Sequence, residues 1–253
     1  VSTTGGTYSG IIYGYGAASN VTITNSSVSG NNQVGGVGGN QDTGSTSTLY
    51  LTNVSVTGKG SQIGGIYGYH RSVGNSYIKD STINGGSEQV GGIGGYGGYS
   101  IYSSAVINTT INSPNANYVG GIEGLNWDGS RYNNTIYNTE IVGKNYVGGV
   151  VGYKNGTSTG YYYGNLVNAT ITAKGVGGAG ILGYYANSLE EENVRRVNIY
   201  DNIIANSIIA ANSEAGGLIG KIDKSTDTAL NLFRDNILAV KVNATGTNKV
   251  AGI

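Results

Sequence analysis

The chain has 253 residues, with 14 basic and 14 acidic side chains, no net charge, no Cys and a single Pro. Neutrality removes the electrostatic reason to expect nucleic acid or an anionic membrane surface as a partner, and the lack of Cys excludes a disulfide framework and thiolate chemistry. Apolar residues at 38% against 11% charged exclude a disordered chain, and 46 Gly without a triplet period exclude collagen.

Abundant Gly and Asn disfavour helix, whereas Val, Ile, Thr and Tyr favour strands. No apolar run approaches the roughly 18 residues of a membrane span, so membrane insertion is not expected. The chain begins at Val1 rather than Met, which suggests a processed N-terminus or a fragment of something longer. A neutral, Tyr-rich surface lacks mutual repulsion and tolerates self-association.

Taken in chain order, a Gly-Gly motif returns every 27 to 29 residues: Val34 to Val37, Ile63 to Ile66, Val90 to Ile93, Val119 to Ile122 and Val147 to Val150. Looser copies follow around Gly178, Gly216 and Gly252. A second motif, apolar-x-Asn-x-x-apolar, runs in phase with it and places Asn25, Asn53, Asp80, Asn108, Asn138, Asn168 and Asn206 at one position per repeat. A fixed period of this size means one supersecondary unit stacked on itself. Segments such as 49–52, 136–138 and 170–172 alternate apolar and polar residues, the mark of half-buried strands.

These features predict an all-β fold, a right-handed parallel β-helix (β-solenoid) of about 28 residues per coil. About eight or nine coils at roughly 4.8 Å each would give a rod near 40 Å long. The whole of 1–253 reads as one solenoid domain, with regular coils over 8–185 and longer, more charged coils over 186–253. In each Gly pair, the three-residue spacing of the flanking aliphatics implies a bend, for which Gly supplies positive φ and close backbone approach. The recurring Asn suggests an internal amide ladder at a left-handed corner. Tyr15, Tyr69, Tyr96, Tyr153 and Tyr184 follow the Gly motif and predict an aromatic column, either a packing ladder or a platform for sugars or a partner.

The segment Val147-Gly148-Gly149-Val150-Val151-Gly152-Tyr153, with the Asn-x-x-apolar-x-Gly run from Asn53 to Gly58, resembles the GLUG repeat of bacterial surface proteins. The likeness covers 8–253 and weakens toward the C-terminus, where Arg234 stands at an expected apolar position. Members of that family resemble adhesins and the non-catalytic repeat regions of large secreted peptidases. The resemblance implies an extracellular or cell-surface setting.

Residues 186–253 hold 15 of the 28 charged side chains, and 188–196 reads as a loop or short helix bulging from the stack. The last residues stop inside a Gly motif, so either the chain is a segment or its open ends pair head to tail into a fibre.

Chemistry is sparse. The Gly-rich run at 175–180 fits a dinucleotide fingerprint, but no helical pattern follows it. His70 is the only His and is expected at an exposed corner, so neither a His-based triad nor a metal site forms. The acids Asp42, Asp80, Glu88, Glu123, Asp128 and Glu140 fall singly in different repeats, unlike the paired carboxylates of polysaccharide-cleaving β-helices. Trp127, with Asp128 and Arg131 in one loop, is the best local candidate for a sugar contact. Of eight Asn-x-Ser/Thr sequons, several lie at the presumed internal Asn positions, where a glycan would not fit, and Asn133 and Asn155, in linkers, are the exposed candidates.

The expected role is therefore an extracellular structural rod that self-associates head to tail or laterally into a fibre or surface layer. No catalysis and no cofactor are expected. An adhesin stalk binding a glycan or host-surface ligand is the alternative, and a polysaccharide-degrading β-helix enzyme the third reading.

Overall fold

Strand-forming residues alternate inward and outward through the chain, and the pattern is plain in Leu49–Gly58, where Leu49, Leu51, Val54 and Val56 are buried while Asn53 is exposed. The computed structural model describes residues 2–4, 6–156, 158–186, 196–222, 232–246 and 250–251. All regular elements among them are β-strands, and every strand pairing is parallel. The fold is a parallel β-solenoid, as the repeat predicts. Of the charged insert at 188–196, all but Arg196 lies outside the described residues.

The repeat phase is also the structural register. Val34, Ile63, Val90, Val119, Val147, Gly178, Ala215 and Val250 form one column of Cα partners. Ile23, Leu51, Ile78, Val106, Ile136, Val167, Ile204 and Leu238 form a second. The column from Val28 through Ile83, Ile141 and Ile171 to Val242 forms a third. These aliphatic columns fill the interior. Coil length is not uniform: equivalent ladder residues are 27 apart at Leu49/Ser76, 31 at Asn134/Asn165 and 37 at Asn165/Asn202.

The Gly pairs serve close approach alone. None of Gly64, Gly65, Gly91 or Gly92 has positive φ, which corrects half of the expected reason for them. A Cβ on Gly65 would overlap the carbonyl oxygen of Gly92, and one on Gly92 that of Gly121. Backbone therefore stacks on backbone at this corner, with Gly36 N donating to Gly65 O at 3.0 Å. Positive φ falls instead at the Asn corners: 49° at Asn25, 54° at Asn53, 50° at Asp80, 47° at Asn108, 48° at Asn138 and 50° at Asn206.

Candidate functional site

The Asn ladder exists, but on the outside. Asn25, Asn53, Asp80, Asn108, Asn138 and Asn206 are exposed, which overturns the expected internal position. A left-handed residue interrupts strand alternation, so the residue before it and the Asn itself both face out and the following residue turns in. Asn53 Nδ2 donates to Asn25 Oδ1 at 2.7 Å, Asn108 to Asp80 at 3.0 Å and Asn138 to Asn108 at 3.0 Å. Asn168 departs from the row, because a register shift places it beside Tyr137 and it lacks positive φ. The sequons at Asn25, Asn53 and Asn108 thus lie on the surface, not within the core as expected. Asn133 is exposed at a left-handed corner with φ 55°, whereas Asn155 is half-buried and its N–H donates to Asn126 O at 3.0 Å.

The buried ladder runs through other residues. Ser76, Ser104, Asn134, Asn165 and Asn202 line one interior column and accept backbone N–H bonds from coil to coil. Asn165 Nδ2 also donates to Asn202 Oδ1 at 2.9 Å and to Arg131 O at 2.9 Å. Each member follows a corner residue of positive φ: Asn75, Ser103, Asn133, Gly164 and Asp201. The signal was a small polar residue two places before the aliphatic position in each coil from Ile78 to Leu238, whereas the two earlier coils carry Val21 and Leu49.

Charged residues gather where the sequence scattered them. His70, Glu123 and Arg131 are fully buried, correcting the exposed corner expected for His70. Glu123 Oε2 accepts from Arg131 Nε at 2.7 Å and from Arg131 Nη2, and Glu123 Oε1 meets His70 Nε2 at 2.6 Å. His70 and Glu123 are two coils apart. They meet because the intervening coil carries Gly94 and Gly97, whose added Cβ atoms would overlap the imidazole. His70 Nδ1 faces the Arg71 carbonyl at 3.0 Å and must donate to it, so a proton also lies between Nε2 and Glu123 Oε1. Arg131 Nη1 donates to Tyr99 O at 2.6 Å.

Lys154 lies in the same polar half of the interior. Its Nζ donates to Trp127 O at 2.6 Å and faces Asp128 Oδ1 at 3.7 Å. Burial pushes the Lys154 ammonium down to about 8, with Asp128 opposing the shift. Tyr162, whose hydroxyl accepts from Asn126 Nδ2 at 2.9 Å, is raised by burial. The expected Trp127–Asp128–Arg131 surface group is therefore divided. Trp127 is 42% exposed and Asp128 accepts from Ser158, while Arg131 points into the core.

The aromatic column forms in part. Tyr69 stacks on Tyr96 at 5.4 Å and Tyr153 on Tyr184 at 5.0 Å, but Leu125 occupies the coil between these pairs. Tyr15 stands apart, its hydroxyl donating to Asp42 at 3.2 Å and its ring edge-on to Tyr8. A longer column, unnoticed in the sequence, joins Tyr102, Tyr132, Tyr163 and Tyr200 at 5.0–5.4 Å. Arg234 covers its end 5.0 Å above Tyr200, which places Arg234 on an outward position and not in the core.

Outside the Asn corner runs an open groove. One concavity of about 510 Å³ spans Asn25, Asn53 and Asp80 with the Ser and Thr residues that follow them. A second, about 480 Å³, continues the strip past Asn108, Asn138, Glu140, Asn168 and Asn206. Among the described residues no group of three or more His, Cys, Asp or Glu could hold a metal, and no helix is long and apolar enough to cross a membrane. No protein-family model matches the chain, and comparison with curated proteins and with solved structures finds no match.

Proposed function

We propose that the chain is an extracellular structural rod that associates with copies of itself into a fibre or surface layer. One observation carries this reading: its strongest constellation of ionisable groups, His70–Glu123–Arg131, is spent inside the stack, where no substrate can reach it. The outward positions are instead ladders of Asn and columns of Tyr that repeat coil after coil, a composition suited to scaffolding.

Whatever precedes or follows these coils, the outermost coil of a parallel stack presents unpaired strand edges. Ile237–Ala244 pairs, among the described residues, with Ile203–Gly216 alone, and Phe233, in register with buried Ile199, is 42% exposed. A further coil in the same register would satisfy both features, and a second copy supplies it by a heterologous contact that does not close. The surface setting rests on the GLUG-like repeat.

Sedimentation velocity across a wide concentration range, with negative-stain microscopy, tests the reading. Growing species and filaments are expected, and Phe233→Glu with Leu238→Glu should return the protein to monomer while its β circular dichroism persists. A native chain that stays monomeric at high concentration would refute it.

A further inference from the structure

We propose that the outer Asn corner binds an extended, uncharged glycan laid along the stack axis, centred on Tyr137, Asn138 and Glu140. The two concavities use the same three positions of each coil and continue one another, so the strip is a groove with a repeating floor rather than an isolated pocket. Coils succeed one another at roughly 4.8 Å, close to the advance per residue of an extended pyranose chain, so a polymer meets equivalent groups at each step.

The chemistry in the middle of the strip fits a sugar. Asn108 and Asn138 each spend one amide proton on the ladder, and the other remains to donate outward. Glu140, exposed and free of ion pairs among the described residues, can accept from two neighbouring hydroxyls. In the coils on either side it aligns with Thr110 and Thr170, which add hydroxyls at the same level.

Tyr137 immediately precedes Asn138 in the strand, on an outward position next to the residues that line the concavity. It is 49% exposed and stacks on no other ring among the described residues. Its face is therefore open to the C–H face of a pyranose. The long Tyr102–Tyr200 column lacks this property, because its rings cover one another. The carboxylates of Asp80 and Glu140 in the strip disfavour a polyanion, and the amides and hydroxyls that make up most of the remaining floor match the hydroxyls of a neutral chain. The inference is independent of end-to-end association, since a monomeric rod that bound the glycan would sink only the latter.

Isothermal titration of the full chain with cellohexaose, xylohexaose and chitohexaose tests it. At least one hexasaccharide should bind, and its trisaccharide should bind more weakly. Tyr137→Ala and Glu140→Gln should each weaken binding about tenfold or more, whereas Tyr132→Ala in the stacked column should leave it unchanged. Both side chains are exposed, so circular dichroism and thermal unfolding should match the native chain. The proposal is overturned if none of the three sugars binds at millimolar concentration. It is equally overturned if binding survives the Tyr137/Glu140 double variant, or if that variant alters sedimentation of the sugar-free protein, which would assign the groove to a second copy.

Discussion

Glu123 ties two coils together inside the stack, because it is the common partner of His70 two coils away and Arg131 in its own coil. Removing one member of a fully buried ionic group leaves the others without compensation, a loss of about 3–5 kcal/mol. Glu123→Ala should lower unfolding stability in urea by that order, and a change under about 1 kcal/mol would mean the cluster is hydrated. Lys154 gives a pH signature. Its folded value, about 8, lies below the ordinary 10.5, so the unfolded chain holds this proton more tightly. The penalty is complete below pH 8 and is relieved as pH rises from there toward 10.5. Relative to Lys154→Met, the native chain should gain on the order of 1 kcal/mol per pH unit in this window. Burial-raised Tyr162 and Tyr13 oppose any gain above the ordinary tyrosine range, so the comparison belongs between pH 8 and 10.

At the scale of the coil, loss of an amide should cost far more in the buried ladder than in the outer one. Asn165 accepts from Asn134 and donates to Arg131 O and Asn202, all within the core. Asn165→Ala strands those partners and should cost about 2–3 kcal/mol or more. Asn108→Gly keeps the left-handed corner and loses two exposed ladder bonds whose partners water can satisfy, so it should cost under about 1 kcal/mol. Reversed costs in chemical denaturation would contradict the assignment of inside and outside.

That assignment is also where sequence reading reached its limit. The phase of Val34, Ile63 and Val90 was legible because equivalent aliphatic residues of a repeat stack in register. Whether Asn53 faced in or out was not, since period-two counting from Leu51 points it inward and only a φ of 54° reverses it. Glu123 was a readable exception, directly after a Gly motif where neighbouring coils carry Gly94 and Val151. Its meeting with His70 depended on space left by two glycines a coil away, which no local pattern encodes.

For the molecule as a whole, stability is a sum over coils in which each touches only those above and below, so opening should begin at the ends. Strands Thr135–Gly143 and Leu166–Ala179 are sandwiched between coils, joined by the buried Asn ladder and adjacent to the Glu123 cluster. Ile237–Ala244 lacks a partner on one side among the described residues, and its aliphatics Leu238, Val240 and Val242 are only half-buried. Amide hydrogen exchange should therefore be slowest in the first two strands and fastest in the third, in a graded series rather than one cooperative step. The gradient also reports on assembly. If a second copy adds a coil beyond Ile237–Ala244, that strand gains hydrogen-bond partners, and its exchange should slow as protein concentration rises while Thr135–Gly143 stays unchanged. Lateral association would instead slow exchange along outward faces of many coils at once, so the position of concentration-dependent protection separates the two modes. Uniform protection at every concentration would contradict the one-dimensional picture itself.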